Sequence, residues 1–284
     1  MADNRLPTTN FSDQDATPPS AYAATGAQRY RASALTRGPW HPEHQHAGPP
    51  IGLVCRAIEA AALEHGLMHI SRLTANLLRP VPIGELTVEV ATDYAGRNAG
   101  HFSAQLLAGD KCVARFTALA QRENAVALPA AMPADPPGHA PPRVPRAPEV
   151  SHEGAFPFAG SHVGYADLVE TRVASGKMFS GPCAVWFRLR HPLLQGEAPG
   201  VYQRVAVAAD SSNGISAVLD FKKYVFVNSD LTINLLRRPR GEWVCVDAPT
   251  HLGPDGCGLA TSNLFDADGL IGIATQSLSI RLRE

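Results

Sequence analysis

Residues 71–80 read Ser-Arg-Leu-Thr-Ala-Asn-Leu-Leu-Arg-Pro, and residues 229–238 read Ser-Asp-Leu-Thr-Ile-Asn-Leu-Leu-Arg-Arg. The two stretches align without a gap at a shift of 158 positions, from Arg72 to Asp230. The same shift carries Gly84-Glu85-Leu86-Thr87-Val88 to Glu242-Trp243-Val244-Cys245-Val246, and Gly109-Asp110-Lys111 to Ala267-Asp268-Gly269. A period this long is several times that of solenoid or propeller units, so the chain reads as two fused copies of one small domain. A polar residue present in only one copy is then not required by the shared fold.

The 284 residues allow one or two domains, and the duplication selects two. With 25 basic against 26 acidic side chains, and no basic block longer than the run around Arg237-Arg238-Pro239-Arg240, nucleic acid and anionic membrane are not expected partners. The five cysteines, Cys55, Cys112, Cys183, Cys245 and Cys257, show no C-x-x-C pairing and read as reduced residues of a cytoplasmic protein. Residues 1–26 are polar and read as a disordered lead, with no apolar run suited to a signal peptide or membrane span. Residues 126–159 hold recurrent prolines, at 129, 133, 136, 137, 141, 142, 145, 148 and 157, and read as a linker without regular structure. Residues 27–125 and 160–284 are left as the two domains.

Within the first copy, Pro49–His65 has apolar residues on nearly every face, which predicts a buried helix, with Pro49 and Pro50 suiting its first turn and Gly66 its end. Strands are predicted at Gln28–Thr36 before it, and at His69–Leu78, Glu85–Tyr94, His101–Leu107 and Cys112–Arg122 after it. The second copy repeats the order: a strand at Ala184–Arg190, an Ala/Val-rich helix over Tyr202–Asp220, then strands at Tyr224–Leu236, Trp243–Asp247, Gly258–Phe265 and Leu270–Leu282. The expected fold is α+β, an antiparallel sheet wrapped around one buried helix in each half.

The stretch from His46-Ala-Gly-Pro-Pro through Leu78-Arg-Pro-Val-Pro82 resembles the first half of the thioesterase-like double-hotdog proteins related to acyl-CoA thioesterase II. Ala209-Asp210, Asn228-Ser-Asp-Leu-Thr232 and Leu252-Gly-Pro-Asp-Gly-Cys-Gly-Leu-Ala260 resemble the second half, and the likeness covers about residues 27–284. The resemblance implies two fused hotdog domains and hydrolysis of an acyl-CoA or related acyl thioester, without a cofactor. It also implies association into a homo-oligomer through exposed sheet edges. It places an Asp, a Thr and a Gln of the second half around the hydrolytic water, at Asp230 before the Arg238-Pro-Arg-Gly-Glu-Trp243 turn, Thr250 and Gln276. The carbonyl oxygen would meet the helix start at Gly48, with His46 lining the acyl pocket or capping that helix.

The shift of 158 tests these assignments from within, since the sister positions are Arg72, Thr92 and Ala118. Asp230 and Gln276 change between copies, whereas the threonine does not. Strand alternation puts Asp230 on one face with Thr232 and Asn234, so a solvated carboxylate is the plain reading there. Gln276 shares its face with Ala274, Leu278 and Ile280, and an amide buried among them needs partners, whether backbone or catalytic.

His41, His44 and His46 resemble a metal cluster, but Pro42 interrupts them and no Cys or acidic pair has matching spacing, so no metal is expected. No G-x-S-x-G elbow and no phosphate-binding glycine loop is present. Arg237, Arg238 and Arg240 are a candidate contact for coenzyme A phosphates, against the plainer reading of an exposed turn. Two alternatives stay open: an acyl-thioester binding protein without turnover, and a hotdog hydratase or dehydratase. The second lacks a D-x4-H pattern, because Asp210 is followed by Ser-Ser-Asn-Gly-Ile215.

Overall fold

The computed structural model describes residues 19–127, 142–160 and 162–283. Its first half runs β1 (Tyr22–Gly26), β2 (Arg29–Ala32), α1 (Gly48–Glu64), β3 (His69–Leu77), β4 (Glu85–Ala95), β5 (Ala99–Ala108) and β6 (Lys111–Gln121). Then follow β7 (His152–Glu153), α2 (Tyr165–Leu168), β8 (Val169–Gly176), β9 (Cys183–Leu189), α3 (Val201–Ala209) and α4 (Ser212–Ile215). The chain closes with β10 (Tyr224–Asn228), β11 (Asp230–Leu235), β12 (Val244–Ala248), β13 (Thr250–Leu252), β14 (Cys257–Asp266) and β15 (Gly269–Leu282).

The strands of the described residues belong to one antiparallel sheet with the order β1-β2-β4-β5-β6-β3-β11-β15-β14-β12-β9-β8-β7, to which β10 adds beside β15 and β13 beside β14. Within it β2-β4-β5-β6-β3 and β9-β12-β14-β15-β11 follow the same connectivity, so the two halves repeat one α+β hotdog topology and meet where β3 pairs with β11. Across the β3–β6 and β4–β5 ladders the register is repeated at the shift of 158. Thr74 faces Thr117 as Thr232 faces Thr275, and Glu89 faces Gln105 as Asp247 faces Asn263.

α1 and α3 lie side by side and antiparallel against the inner sheet face, burying Ile51, Val54, Ile58, Val205 and Ala209 in one core. Close approach depends on missing side chains: a Cβ on Gly48 would sit 2.7 Å from the Val207 carbonyl oxygen, and one on Gly52 2.9 Å from Val207 Cγ2.

Several boundaries differ from the sequence reading. Residues 1–18 of the expected lead lie outside the described residues, and its end forms β1, where Tyr22 is buried, donates its hydroxyl to Gln45 Oε1 at 2.5 Å and takes its backbone N–H to Leu193 O of the other half. Part of the expected linker, residues 128–141, lies outside the described residues. The rest carries a short turn of 3-10 helix at Pro148–Val150, begun by a proline at a position that needs no N–H, and β7. The second helix ends at Ala209 rather than running to Asp220, and α4 follows.

The predicted strand Tyr224–Leu236 is broken at Ser229 into β10 and β11. Asn228 pairs with Leu278 but Thr232 with Thr275, so one extra residue is inserted: a β-bulge. β3 has the same irregularity at Ser71, between the Ile70–Ala120 and Arg72–Leu119 pairs, so the bulge belongs to the duplicated fold. A one-residue slip turns every later side chain to the opposite face.

Candidate active site

At the junction of the α1 start and the α3 end, Asp210 occupies the C-cap of α3 with its side chain only 3% exposed. A carboxylate is poorly placed at the negative end of a helix, so it must be compensated by donors. Three side chains supply them. Asn228 Nδ2 donates to Asp210 Oδ1 at 2.8 Å, Gln276 Nε2 lies 3.4 Å from the same oxygen, and His46 Nδ1 lies 2.9 Å from Oδ2. Gln276, 0% exposed, also donates to the Asp210 carbonyl at 3.1 Å and accepts the Asn213 N–H at 3.0 Å in the first turn of α4. Both amide donors of Gln276 and its acceptor are thereby fixed.

His46 is held from a second side. Its ring stacks on Tyr165 at 3.8 Å with planes 4° apart, and the buried Tyr165 hydroxyl donates to Val207 O at 3.0 Å beside Ser211 Oγ at 2.9 Å. Burial pushes the Tyr165 phenol well above its ordinary range, opposed by the Ser211 contact, so it stays a neutral donor. The Gly48 N–H lies 3.2 Å from the same His46 Nδ1 that meets Asp210. Nδ1 can serve one of these contacts as a lone pair or the other as an N–H, not both: it accepts the Gly48 N–H as the bond stands, and a tautomer with the proton on Nδ1, facing Asp210, would release that N–H. Pro49 and Pro50 have no N–H, and Ile51 N bonds back to Ala47 O, so Gly48 carries the one N–H among residues 48–51 that the helix backbone does not take up.

The expected convergence of Asp230, Thr250 and Gln276 in one pocket does not occur. The bulge at Ser229 turns Asp230 to the outer sheet face with Thr232 and Ser277, while Gln276 points inward. There Asp230 Oδ1 accepts the Ser277 N–H at 2.6 Å. Thr250 does face inward, in one row with Ala260 and Gln276, but Ala260 separates them, placing the threonine two strand spacings away, about 10 Å. Its hydroxyl bonds Ser216 Oγ at 2.6 Å, and Ser216 in turn bonds Ser212 O at 2.7 Å. Of the five residues named from sequence, Gln276, His46 and Gly48 meet at one place, and Asp210, Asn228 and Tyr165 join them instead.

The sister positions of Asn228 and Gln276 are Ile70 and Ala118, 2% and 1% exposed. The polar cluster is therefore specific to one half, and its counterpart is packed with apolar side chains. Of the arginines named for coenzyme A, Arg237 is committed to a bidentate pair with the fully buried Asp266, whose carboxylate also accepts the Arg240 and Asp268 N–H groups. The hydrogen bonds hold the Asp266 carboxyl below its usual range although burial opposes them. The His41 and His44 rings meet at a tilt of 31° with centroids 4.3 Å apart, and no cluster of three or more metal-ligating side chains occurs among the described residues.

Two hotdog units joined through their β3 and β11 edges, with a polar cluster at one helix junction, define a double-hotdog protein. The chain belongs to the acyl-CoA thioesterase family: residues 36–121 match the model of its N-terminal domain and residues 132–280 that of its C-terminal domain. Among solved structures it is similar to a protein assigned as thioesterase II from Thermobifida fusca, at 16% identity over 93% of this chain and 96% of that one, TM-score 0.69. It is also similar to a protein assigned as a thioesterase from Novosphingobium aromaticivorans, at 20% identity over 91% and 98%, TM-score 0.67. An acyl-CoA thioesterase II from Mycobacterium marinum matches at 18% identity over 93% and 96%, TM-score 0.61. At these identities the likeness carries the fold. No curated protein matches the sequence. No helix among the described residues is long and apolar enough to cross a membrane.

Proposed function

We propose that the chain hydrolyses an acyl-CoA thioester at the Asp210 cluster. The observation that carries this reading is the buried carboxylate of Asp210 with Asn228, Gln276 and His46 converging on it in only one of the two copies. Thioester hydrolysis releases a thiol of pKa about 8.5, by analogy with cysteine, so no strong general acid is needed. The demands are an oriented water, a proton acceptor and a donor to the carbonyl oxygen. Asp210 fixes His46 through Nδ1, which leaves Nε2 as the lone-pair base for the water proton. Asn228 and Gln276 hold Asp210 rather than the water. In that tautomer His46 no longer accepts the Gly48 N–H, which at the positive end of α1 suits the developing oxyanion.

Release of thiol from an acyl-CoA panel tests the reading, with kcat lowered by about a hundredfold or more in Asp210→Asn as the expected result. A binding protein without turnover is the second reading. The specific observation in its favour is that the two prolines leave the Gly48 N–H, itself bonded to His46 Nδ1, as the single candidate donor at the start of α1, where a strong oxyanion site would present two.

A further inference from the structure

Next to the polar cluster the chain assembles aromatic rings from four distant segments. Phe156 lies 5.8 Å from Tyr165 and 6.2 Å from Phe179, Phe179 lies 5.6 Å from Phe221, and Trp40 and Phe226 lie 5.5 and 4.6 Å from Phe221. Most contacts are edge-to-face or tilted, which exposes both ring faces and ring edges to a further ring. Trp40, Phe179 and Phe221 are half-buried, so the group opens outward.

Two observations tie this group to the reacting atoms. Phe226 is two residues from Asn228 on the same strand and the same face, so its ring starts about 6–7 Å from the side chain that holds Asp210. Tyr165 is shared, stacking on His46 on one side and meeting Phe156 on the other. That spacing is too short for the adenine of coenzyme A, which a pantetheine arm separates from the thioester. It suits the acyl group.

The third observation is strain. Phe179 has φ 61°, a left-handed conformation that a bulky side chain rarely adopts. The tip of the β8–β9 hairpin holds it there through Phe179 N–H to Ile215 O at 2.9 Å and Gly181 N–H to Ala217 O at 3.1 Å. Backbone strain retained in this way marks a side chain placed for a purpose. On the other side of the helices, the space between Cys55, Ile70, Leu73, Tyr202, Val205 and Ile233 is a cavity of only about 10 Å³, room for one water.

We infer that Phe179, with Phe156, Phe221, Phe226 and Trp40, forms the acyl subsite and selects thioesters of flat, aromatic acyl groups over long straight chains. The inference rests on the hydrolytic reading above for the identity of the thioester. The test is kcat/KM of the full chain on phenylacetyl-CoA, hexanoyl-CoA and palmitoyl-CoA. The subsite predicts phenylacetyl-CoA favoured over hexanoyl-CoA by about tenfold or more, with palmitoyl-CoA poorest. In Phe179→Leu, and independently in Phe221→Leu, that ratio falls by about tenfold. A preference for palmitoyl-CoA, or ratios unchanged in both variants, overturns the assignment. If no substrate is turned over, affinities for the matching ketone analogues, with a methylene between sulfur and carbonyl, decide. Tighter binding of the phenylacetyl analogue keeps the subsite while the hydrolytic reading fails, and equal affinities remove the subsite.

Discussion

Thr232 Oγ1 donates to Thr74 Oγ1 at 3.2 Å across the β3–β11 ladder, and the two residues are 158 positions apart. The shift that relates the copies in sequence therefore relates the two partners of one hydrogen bond, so the pseudo-twofold axis passes between them. Around that axis Asp230 faces Asn76 while its sister Arg72 faces Asn234, all on the outer face of the sheet.

Asp230 is a structural residue on this account. Its carboxylate stands where the ladder would place a backbone acceptor for Ser277 N–H. Asp230→Ala should cost about 0.5–1.5 kcal/mol in denaturant unfolding, the net scale of one hydrogen bond whose donor, Ser277 N–H, is exposed. No loss of stability would mean that water replaces the carboxylate.

Gly48→Ala should destabilise the chain by about 1–3 kcal/mol, because the added carbon meets the Val207 carbonyl oxygen at 2.7 Å and His46 Nδ1 at 3.3 Å, and two packed helices must separate. The same shift moves His46 from Asp210, so turnover should fall in protein that remains folded by circular dichroism. A fully active, fully stable variant would show that the helix pair is looser than its packing.

Glu59, on α1, has its carboxyl pushed up to about 7 by burial, against the pull of Arg238 and Arg56, of which Arg56 is already paired with Glu197. A folded pKa above the unfolded one means that the native state binds more protons between about 4.5 and 7, so stability falls as pH rises through that window. Glu59→Gln removes the dependence. Its unfolding free energy should gain on the parent between pH 5 and pH 8 by no more than about 3 kcal/mol, less because Glu59 is partly exposed. A pH-independent difference would show that the carboxyl is solvated.

Arg237→Ala should cost about 3 kcal/mol or more, since it strands the fully buried Asp266, and the loss should shrink when Asp266→Asn is added. Equal stability of parent and single variant would leave Arg237 free for a ligand role.

The duplication, the strand order and the buried first helix were legible because they are carried by local pattern and repeat. The inward Gln276 was legible for the same reason, as a polar side chain in an apolar stripe. The bulge was not. Ser71 and Ser229 look like ordinary strand residues, and a single inserted residue decides that Asn228 faces the helices and Asp230 does not. Asp210 was hidden in an Ala/Val-rich run read as one helix. A carboxylate after eight mostly apolar residues, at the unfavourable end of a helix dipole, was the signal available. Tyr165 reaches His46 only through the tertiary fold and left no mark in the sequence.

The most direct measurement is thiol release from an acyl-CoA by two variants side by side. Asp210→Asn should lose about a hundredfold or more in kcat, the scale of losing the group that holds a general base, while Asp230→Asn stays within about threefold of the parent. Parental turnover by Asp210→Asn, or a dead Asp230→Asn, would contradict the assignment of the site to the α1–α3 junction.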